Sequence, residues 1–295
     1  MKPEIQDVLA ALDAEGYVAE PATATAVFLA REMRKPLLVE GDAGVGKTEL
    51  AKVLARMLGT ELIRLQCYEG LDVQTALYEW DYPRQLLRLR MAEGRGEDPR
   101  EVEHRIFGRE YLLERPLLRA ITHADRSPVL LIDEIDRADD GFEAFLLELL
   151  SDFQVTIPEL GTIRAVHPPY VVLTSNRTRD LGDALRRRCL YLYIEHPSFE
   201  KEVRIIAARR PAAPARLAHE VGRFVRALRE RPLVKSPGVA ETLDWTEALV
   251  TLRQDSLEPD VVAQTLGCLL KDRVDLETLT PAEVASLVTL VRDHS

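Results

Sequence analysis

Cysteine is scarce: three residues, Cys67, Cys189 and Cys268, stand far apart in a chain of 295. An odd number of isolated thiols fits a reducing compartment. They show no metal-ligand spacing, and the six histidines form no ligand pattern either. Long apolar runs are also missing. The longest, such as PLLV and PVLLI, reach strand length and fall far short of the roughly 20 residues that span a bilayer. At the N-terminus Ile5, Val8, Leu9 and Leu12 recur at helical spacing among acids, so an amphipathic helix is expected there rather than a signal peptide. A cytoplasmic location is the expectation. Positive charge is in deficit, at 39 Lys and Arg against 49 Asp and Glu, a net −10. That sign repels a phosphate backbone and argues against a nucleic-acid partner.

What is present suffices for a core. Apolar residues are 46% of the chain, and its length exceeds what one hydrophobic core usually serves, so one large or two modest domains are expected. Short apolar runs at 36–40, 61–65, 128–133, 170–175 and 190–194 read as five strands. Between them Leu50, Val53, Leu54, Met57 and Leu58, then Phe142, Phe145, Leu146, Leu149 and Leu150, keep helical period. Alternating strands and helices imply a parallel sheet covered on both faces. Two stretches break the alternation. Residues 66–127 are too long for one crossover and hold GRGEDPRE (94–101), expected as a surface loop, while 154–165 reads as a hairpin. After Pro197 strands stop. Val221, Phe224, Val225 and Leu228 mark one helix, and Val261, Val262, Leu266, Leu269 and Leu270 another. Thr280-Pro281-Ala282-Glu283 opens a last helix as a capping box.

GDAGVGKT (41–48) follows a strand and precedes a helix, the context a P-loop requires. Gly41, Gly44 and Gly46 let the backbone turn its amides toward phosphate oxygens, and the helix N-terminus adds partial positive charge. Lys47 is expected on the β- and γ-phosphates and Thr48 on Mg²⁺. Asp42, Ala43, Val45 and Glu49 complete the run expected to line ATP. PVLLIDEID ends an apolar strand in Asp133-Glu134. Asp133 is expected to hold Mg²⁺ through its water shell, and Glu134 to accept the proton of the attacking water. Asn176, closing YVVLTSN, supplies a neutral amide for that water and the γ-phosphate. Arg186, Arg187 and Arg188 end a helix: either a solvated face that the helix dipole favours, or an arginine finger donated to a neighbouring subunit. Arg177 and Arg179 lie just beyond Asn176, within reach of a neighbour or in a solvated loop. Tyr68, Tyr78, Trp80 and Tyr82 form an aromatic cluster, expected to pack as a satellite core, with the gripping of a client protein as the alternative. A small-molecule kinase also uses a P-loop, but the acidic pair and the arginines favour hydrolysis.

With glycine loop, acidic pair, asparagine and arginine cluster in this order, and helices behind them, the chain resembles AAA+ ATPases over nearly its whole length. The resemblance implies an α/β AAA+ P-loop NTPase core with a parallel five-stranded sheet at 1–197, then a smaller all-helical lid domain at 198–295. RLQCYEGLDVQTALYEWDYPRQLL (64–87), YLLERPLLRAI (111–121) and LLELLSDFQVTIPELGTI (146–163) resemble the CoxD-type branch of the MoxR family. In that family the first stretch carries an insert near the second helix, the last is a hairpin before the asparagine strand, and both face the pore of a hexamer. LGDALRRRCLYLYIEHP (181–197) resembles its finger segment and points to Arg188 first, Arg187 second. The family often carries a second sensor arginine in a Ser-Pro-Arg stretch, whereas KSPGVAETLDW (235–245) has none. The resemblance implies a chaperone-like remodeller, a homo-oligomer that works with a von Willebrand factor A domain protein. Its implied metalloenzyme client is a molybdenum hydroxylase such as carbon monoxide dehydrogenase. An activase acting on a rubisco-type or nitric oxide reductase client stays open beside it, as does a nucleic-acid motor.

Overall fold

A computed structural model describes residues 2–95 and 98–292. The chain opens with α1 (Pro3–Ala14) and α2 (Pro21–Met33), followed by β1 (Leu37–Glu40), the glycine loop, α3 (Lys47–Leu58) and β2 (Leu62–Gln66). The long connection then holds α4 (Val73–Leu77), β3 (Tyr78–Trp80), α5 (Tyr82–Glu93), α6 (Pro99–Ile106), β4 (Leu112–Glu114) and α7 (Pro116–Thr122). Next come β5 (Val129–Asp133), α8 (Asp140–Asp152), β6 (Gln154–Ile157), β7 (Gly161–Arg164), β8 (Tyr170–Ser175), α9 (Asp183–Arg188) and β9 (Leu190–Tyr193). Helices finish the chain: α10 (Phe199–Arg209), α11 (Ala215–Arg229), α12 (Val239–Thr251), α13 (Pro259–Leu269), α14 (Arg273–Thr278) and α15 (Pro281–Arg292).

The five expected strands form a parallel sheet in the order β2-β5-β8-β1-β9. β1 and β5 are buried at every residue, as strands covered on both faces must be. The polar members of these inner strands, Glu40, Asp133, Thr174 and Ser175, all sit at carboxyl ends, where ligands bind open α/β sheets. Register fixes the level at which the chain leaves the sheet: Glu40 pairs with Ser175, Ile132 with Leu173 and Gln66 with Asp133. Gly41 follows Glu40, so the glycine loop begins at that same end.

By internal contacts the chain divides into two compact units. One runs to Ile5 and takes in Ala22–Glu40 and Ala51–Leu192. Its core joins sheet residues such as Leu38, Leu130 and Leu173 to Phe142, Leu146 and Leu149 of α8. The insert packs against this core through β3 and β4, an antiparallel pair with Trp80 opposite Leu112. Trp80 meets Tyr78 and Phe107 edge-on, at 5.9 and 5.4 Å between centroids. Tyr78 and Trp80 thus belong to a packed core, but Tyr68 and Tyr82 are exposed, so the expected four-residue cluster splits in half. The expected loop at 94–101 is also shorter than its composition implied, because α6 claims Pro99 to Glu101. Asp98 accepts the Arg100 amide at 3.0 Å, so Asp-Pro here opens a helix instead of prolonging a loop. Gly96 and Glu97 of that loop lie outside the described residues. The hairpin forms as expected, with Val155 opposite Ile163.

The other unit comprises Gln6–Pro21, Gly41–Leu50 and the described chain from Tyr193 onward. Its core is helical: Val221, Phe224, Val225 and Leu228 form the buried face of α11, packed with Trp245, Leu249 and Val262. The Trp245 indole is fully buried and donates to the Thr265 hydroxyl at 2.8 Å, which removes the cost of an unpaired N–H. α15 starts on the expected capping box: Thr280 Oγ1 accepts the Glu283 amide at 3.3 Å, and Glu283 accepts the Thr280 amide at 2.9 Å. Among the described residues no helix is long and apolar enough to cross a membrane.

Candidate active site

Asp133 ends β5 with its carboxylate almost wholly buried. Its Oδ1 accepts the Thr174 hydroxyl at 2.5 Å, and its Oδ2 accepts Arg64 Nε at 3.0 Å and a terminal guanidinium nitrogen at 2.6 Å. Thr174 works in both directions, because its oxygen also accepts the Glu134 amide at 2.9 Å. That bond holds Glu134 in the left-handed region, φ 56°, a conformation costing a residue with a Cβ about 1–3 kcal/mol. The turn brings the Glu134 carboxylate to Arg137, 2.6 Å away on the next turn of chain.

Asp136 performs a different task. It accepts the Asn176 amide at 3.2 Å, the Thr178 amide at 2.9 Å and the Thr178 hydroxyl at 2.7 Å. These bonds tie the segment leaving β8 to the one leaving β5, so Asp133, Glu134 and Asn176 come together in one unit. Burial pushes the Asp136 carboxyl up, but the bonds from Thr178 and Asn176 more than offset it and hold it below the usual range. Burial first, then the charges of Asp133, Asp136 and Glu134, push the Cys67 thiol up to about 12.

The glycine loop lies in the other unit. Gly41, Gly44 and Gly46 all have positive φ, at 155°, 79° and 97°. A Cβ on Gly41 would stand 2.2 Å from the Ile194 carbonyl oxygen, so a side chain there is excluded outright. Lys47 is 6% exposed, and its ammonium donates to the loop's own carbonyls at Gly41, 2.7 Å, and Asp42, 2.6 Å. The loop is therefore curled around a cation at the first residue of α3, the arrangement that receives phosphate. Asp42 lies 3.4 Å from His196, and the Glu49 carboxylate pairs with Arg209 at 2.9 Å. Burial first, and next the Arg229 charge, lower the His196 pKa. The Thr48 hydroxyl and the Asp133 carboxylate are hard oxygen donors of the kind a divalent cation such as Mg²⁺ takes.

The arginines separate by their partners. Arg186 lies 3.7 Å from Glu40 and over the Tyr191 ring, while Arg188 donates to Ser151 at 2.8 Å and to the Ala184 carbonyl at 3.2 Å. Arg187 is exposed, and no ion pair or hydrogen bond of its side chain is seen among the described residues. Arg179 is anchored on Ala138, Glu143 and Asp140. Arg177, with φ 60°, approaches Glu40 at 3.9 Å.

A family model described as AAA domain (dynein-related subfamily) matches residues 36–189, just over half the chain, from the residue before β1 to the residue before β9. The chain belongs to this family. Its members bind nucleotide and generally hydrolyse ATP. Similar to this AAA domain are uncharacterized proteins of Staphylococcus aureus strains bovine RF122 and USA300, 24% and 23% identical over 172 residues. Each match takes in 56% of this chain and 57% of the relative, so the chain spans little more than half the length of these curated relatives. Among solved structures, the Thermotoga maritima RuvB Holliday junction branch migration motor is 19% identical, covering 86% of this chain and 68% of that one, with a TM-score of 0.47. A point mutant of the same RuvB is 20% identical, covers 88% and 71%, and has a TM-score of 0.51, a likeness of fold.

Three residues that the sequence motifs do not mark hold this arrangement around Asp133 and Glu134 together: Arg64, Thr174 and Asp136. Signals were present. Arg64 interrupts an apolar strand, Thr174 is polar inside one, and Asp136 is the third acid of DEID.

Proposed function

We propose that this AAA domain binds Mg-ATP through Gly41–Thr48 and hydrolyses it to ADP and phosphate. The observation that carries the reading is the loop curled around the Lys47 ammonium with three glycines at positive φ. In this reading the amides of the loop hold phosphate oxygens, Lys47 leaves its own carbonyls for the β- and γ-phosphates, and Glu134 takes the proton of the attacking water. Asn176 orients that water. Thr48 and, through water, Asp133 hold Mg²⁺, which when bound neutralises charge developing on the phosphates. Arg187 and Arg188 are the finger candidates. The exposure of Arg187 supports it, whereas Arg188 must first release Ser151.

The finer reading is a MoxR-type remodeller of the CoxD-like branch, cytoplasmic and hexameric, acting with a von Willebrand factor A domain protein on a molybdenum hydroxylase. Residues 1–197 would be the nucleotide-binding domain and 198–295 the lid. The three stretches at 64–87, 111–121 and 146–163 support that branch. One experiment tests both levels. Glu134→Gln should keep ATP affinity and lose about 10²–10⁴ in turnover, the usual contribution of a positioned proton acceptor. Tagged in the native host with ATP, it should retain the von Willebrand-type partner and the hydroxylase. Turnover at the wild-type rate would overturn the assigned role of Glu134. A different enzyme in the pull-down would replace the client, and recovered DNA would make a nucleic-acid motor the better reading.

A further inference from the structure

Gly44, in the middle of the glycine loop, lies against a second glycine from far along the chain. A Cβ built on Gly44 would stand 2.9 Å from the Gly238 Cα, and one built on Gly238 would stand 2.8 Å from the Gly44 Cα and 3.1 Å from the Ala43 carbonyl oxygen. These neighbours are backbone atoms, which cannot rotate away as a side chain can, and the Glu241 carboxylate stands equally close to a Gly238 Cβ, at 2.8 Å. The approach is sealed by a hydrogen bond in which the Val239 amide donates to the Gly44 carbonyl at 2.9 Å. Val239 is the first residue of α12, so its amide is one that the helix itself leaves without an acceptor.

Gly238 has φ −86° and ψ −178°, extended backbone that any residue adopts. Its lack of a side chain is therefore a matter of space and not of backbone conformation. The turn that presents it is braced within the same unit. Arg229 Nε donates to the Pro237 carbonyl at 2.8 Å, and its two terminal nitrogens grip Glu202 at 2.7 and 2.9 Å. Glu202 is 1% exposed, which makes this bidentate pair a rigid support. The Thr242 hydroxyl is shared between Glu202, 3.0 Å, and the Gly238 carbonyl, 2.9 Å. Glu241 accepts the Gly238 amide at 3.1 Å.

A trans peptide points its C=O and the following N–H in opposite directions. With the Gly44 carbonyl held toward α12, the Val45 amide is turned away from α12. We infer that Gly238 is a positioning residue for nucleotide binding: by presenting no side chain it lets α12 hold the Gly44 carbonyl, and so sets the Val45 amide for a phosphate oxygen. The inference rests on the ATP reading above and adds to it a contribution of the helical region made through backbone, with no charged side chain.

Gly238→Ala tests it, since alanine fits the local φ and ψ and adds one methyl at the contact. Gly267→Ala on α13 of the same unit is the control, because a Cβ there meets nothing within 4 Å. Affinity for a fluorescent ATP analogue, KM and kcat for ATP, and Tm are measured for wild type and both variants. Gly238→Ala should weaken binding and raise KM about ten- to a hundredfold while kcat changes less, and Tm should fall modestly, since overpacking a close contact also costs folding stability. Gly267→Ala should bind as wild type does. Hydrogen exchange at Val239 in the wild type, with and without ADP, gives a second readout that needs no variant, and its protection should change when ADP binds. Unchanged affinity of Gly238→Ala, or Val239 protection indifferent to ADP, would overturn the inference alone. No ATP binding by the wild type would overturn the nucleotide reading and the inference with it.

Discussion

At the scale of the residue, Asp136 shows how a group outside the reaction governs those inside it. Its carboxyl is held below the usual range, so its contribution to stability is full above the unfolded-state value of about 3.9 and is lost as pH falls through the lowered folded value. Thr178→Val removes one of the donors that lower it. The variant should be less stable than wild type by roughly 1 kcal/mol at neutral pH, the typical net worth of one such hydrogen bond. Chemical melts from pH 7 down to 2.5 should show that gap closing as Asp136 protonates; a gap of constant size would mean Thr178 acts by packing alone. Lys47 and Thr48, and Asp133 and Glu134, stand out as candidates in the sequence because two contiguous motifs carry them. It could not disclose Arg64 and Thr174, whose parts depend on Asp133, 69 and 41 positions away. Those pairings come from strand register, which a composition reading does not contain.

At the scale of the element, the five strands and the hairpin were legible because fully buried strands are unbroken apolar runs and turns carry their own residues. The insert was less so. Its aromatic residues read as one cluster, but Trp80 points into the core while Tyr82 opens α5 on the solvent side. Alternation along β3 explains why Tyr78 and Trp80 share a face, and nothing in the spacing tells where that strand ends. Trp80→Ala should therefore cost about 3–5 kcal/mol in a denaturant melt, as truncating a buried tryptophan usually does. Tyr82→Ala should cost far less. Equal costs would show that the exposed half is packed in solution.

At the scale of the whole molecule, the order of motifs announced the family, and the matched stretch 36–189 agrees with it. The division of the chain was not legible, because Gly41–Leu50 keeps company with the helical unit although it is threaded between β1 and the rest of α3. Chain order gives no hint of such an exchange. Neither does it show which arginine serves a neighbour. If Arg187 is donated in trans, Arg187→Ala should bind ATP normally and turn over poorly, and mixing it with wild type should depress the rate below the average of the two. Strict additivity on mixing would confine Arg187 to its own subunit, and normal turnover would move the role to Arg188 or Arg186.

The two facing glycines have a bearing on how such a sequence can change over generations. Neither Gly44 nor Gly238 is free to drift alone, since a methyl on either meets the backbone of the other. A larger residue at the second position becomes admissible only after the loop has withdrawn, and the loop cannot withdraw while the Val239 amide holds it. A helical region grafted from a protein with a larger residue at the second position would therefore run into the backbone of this loop.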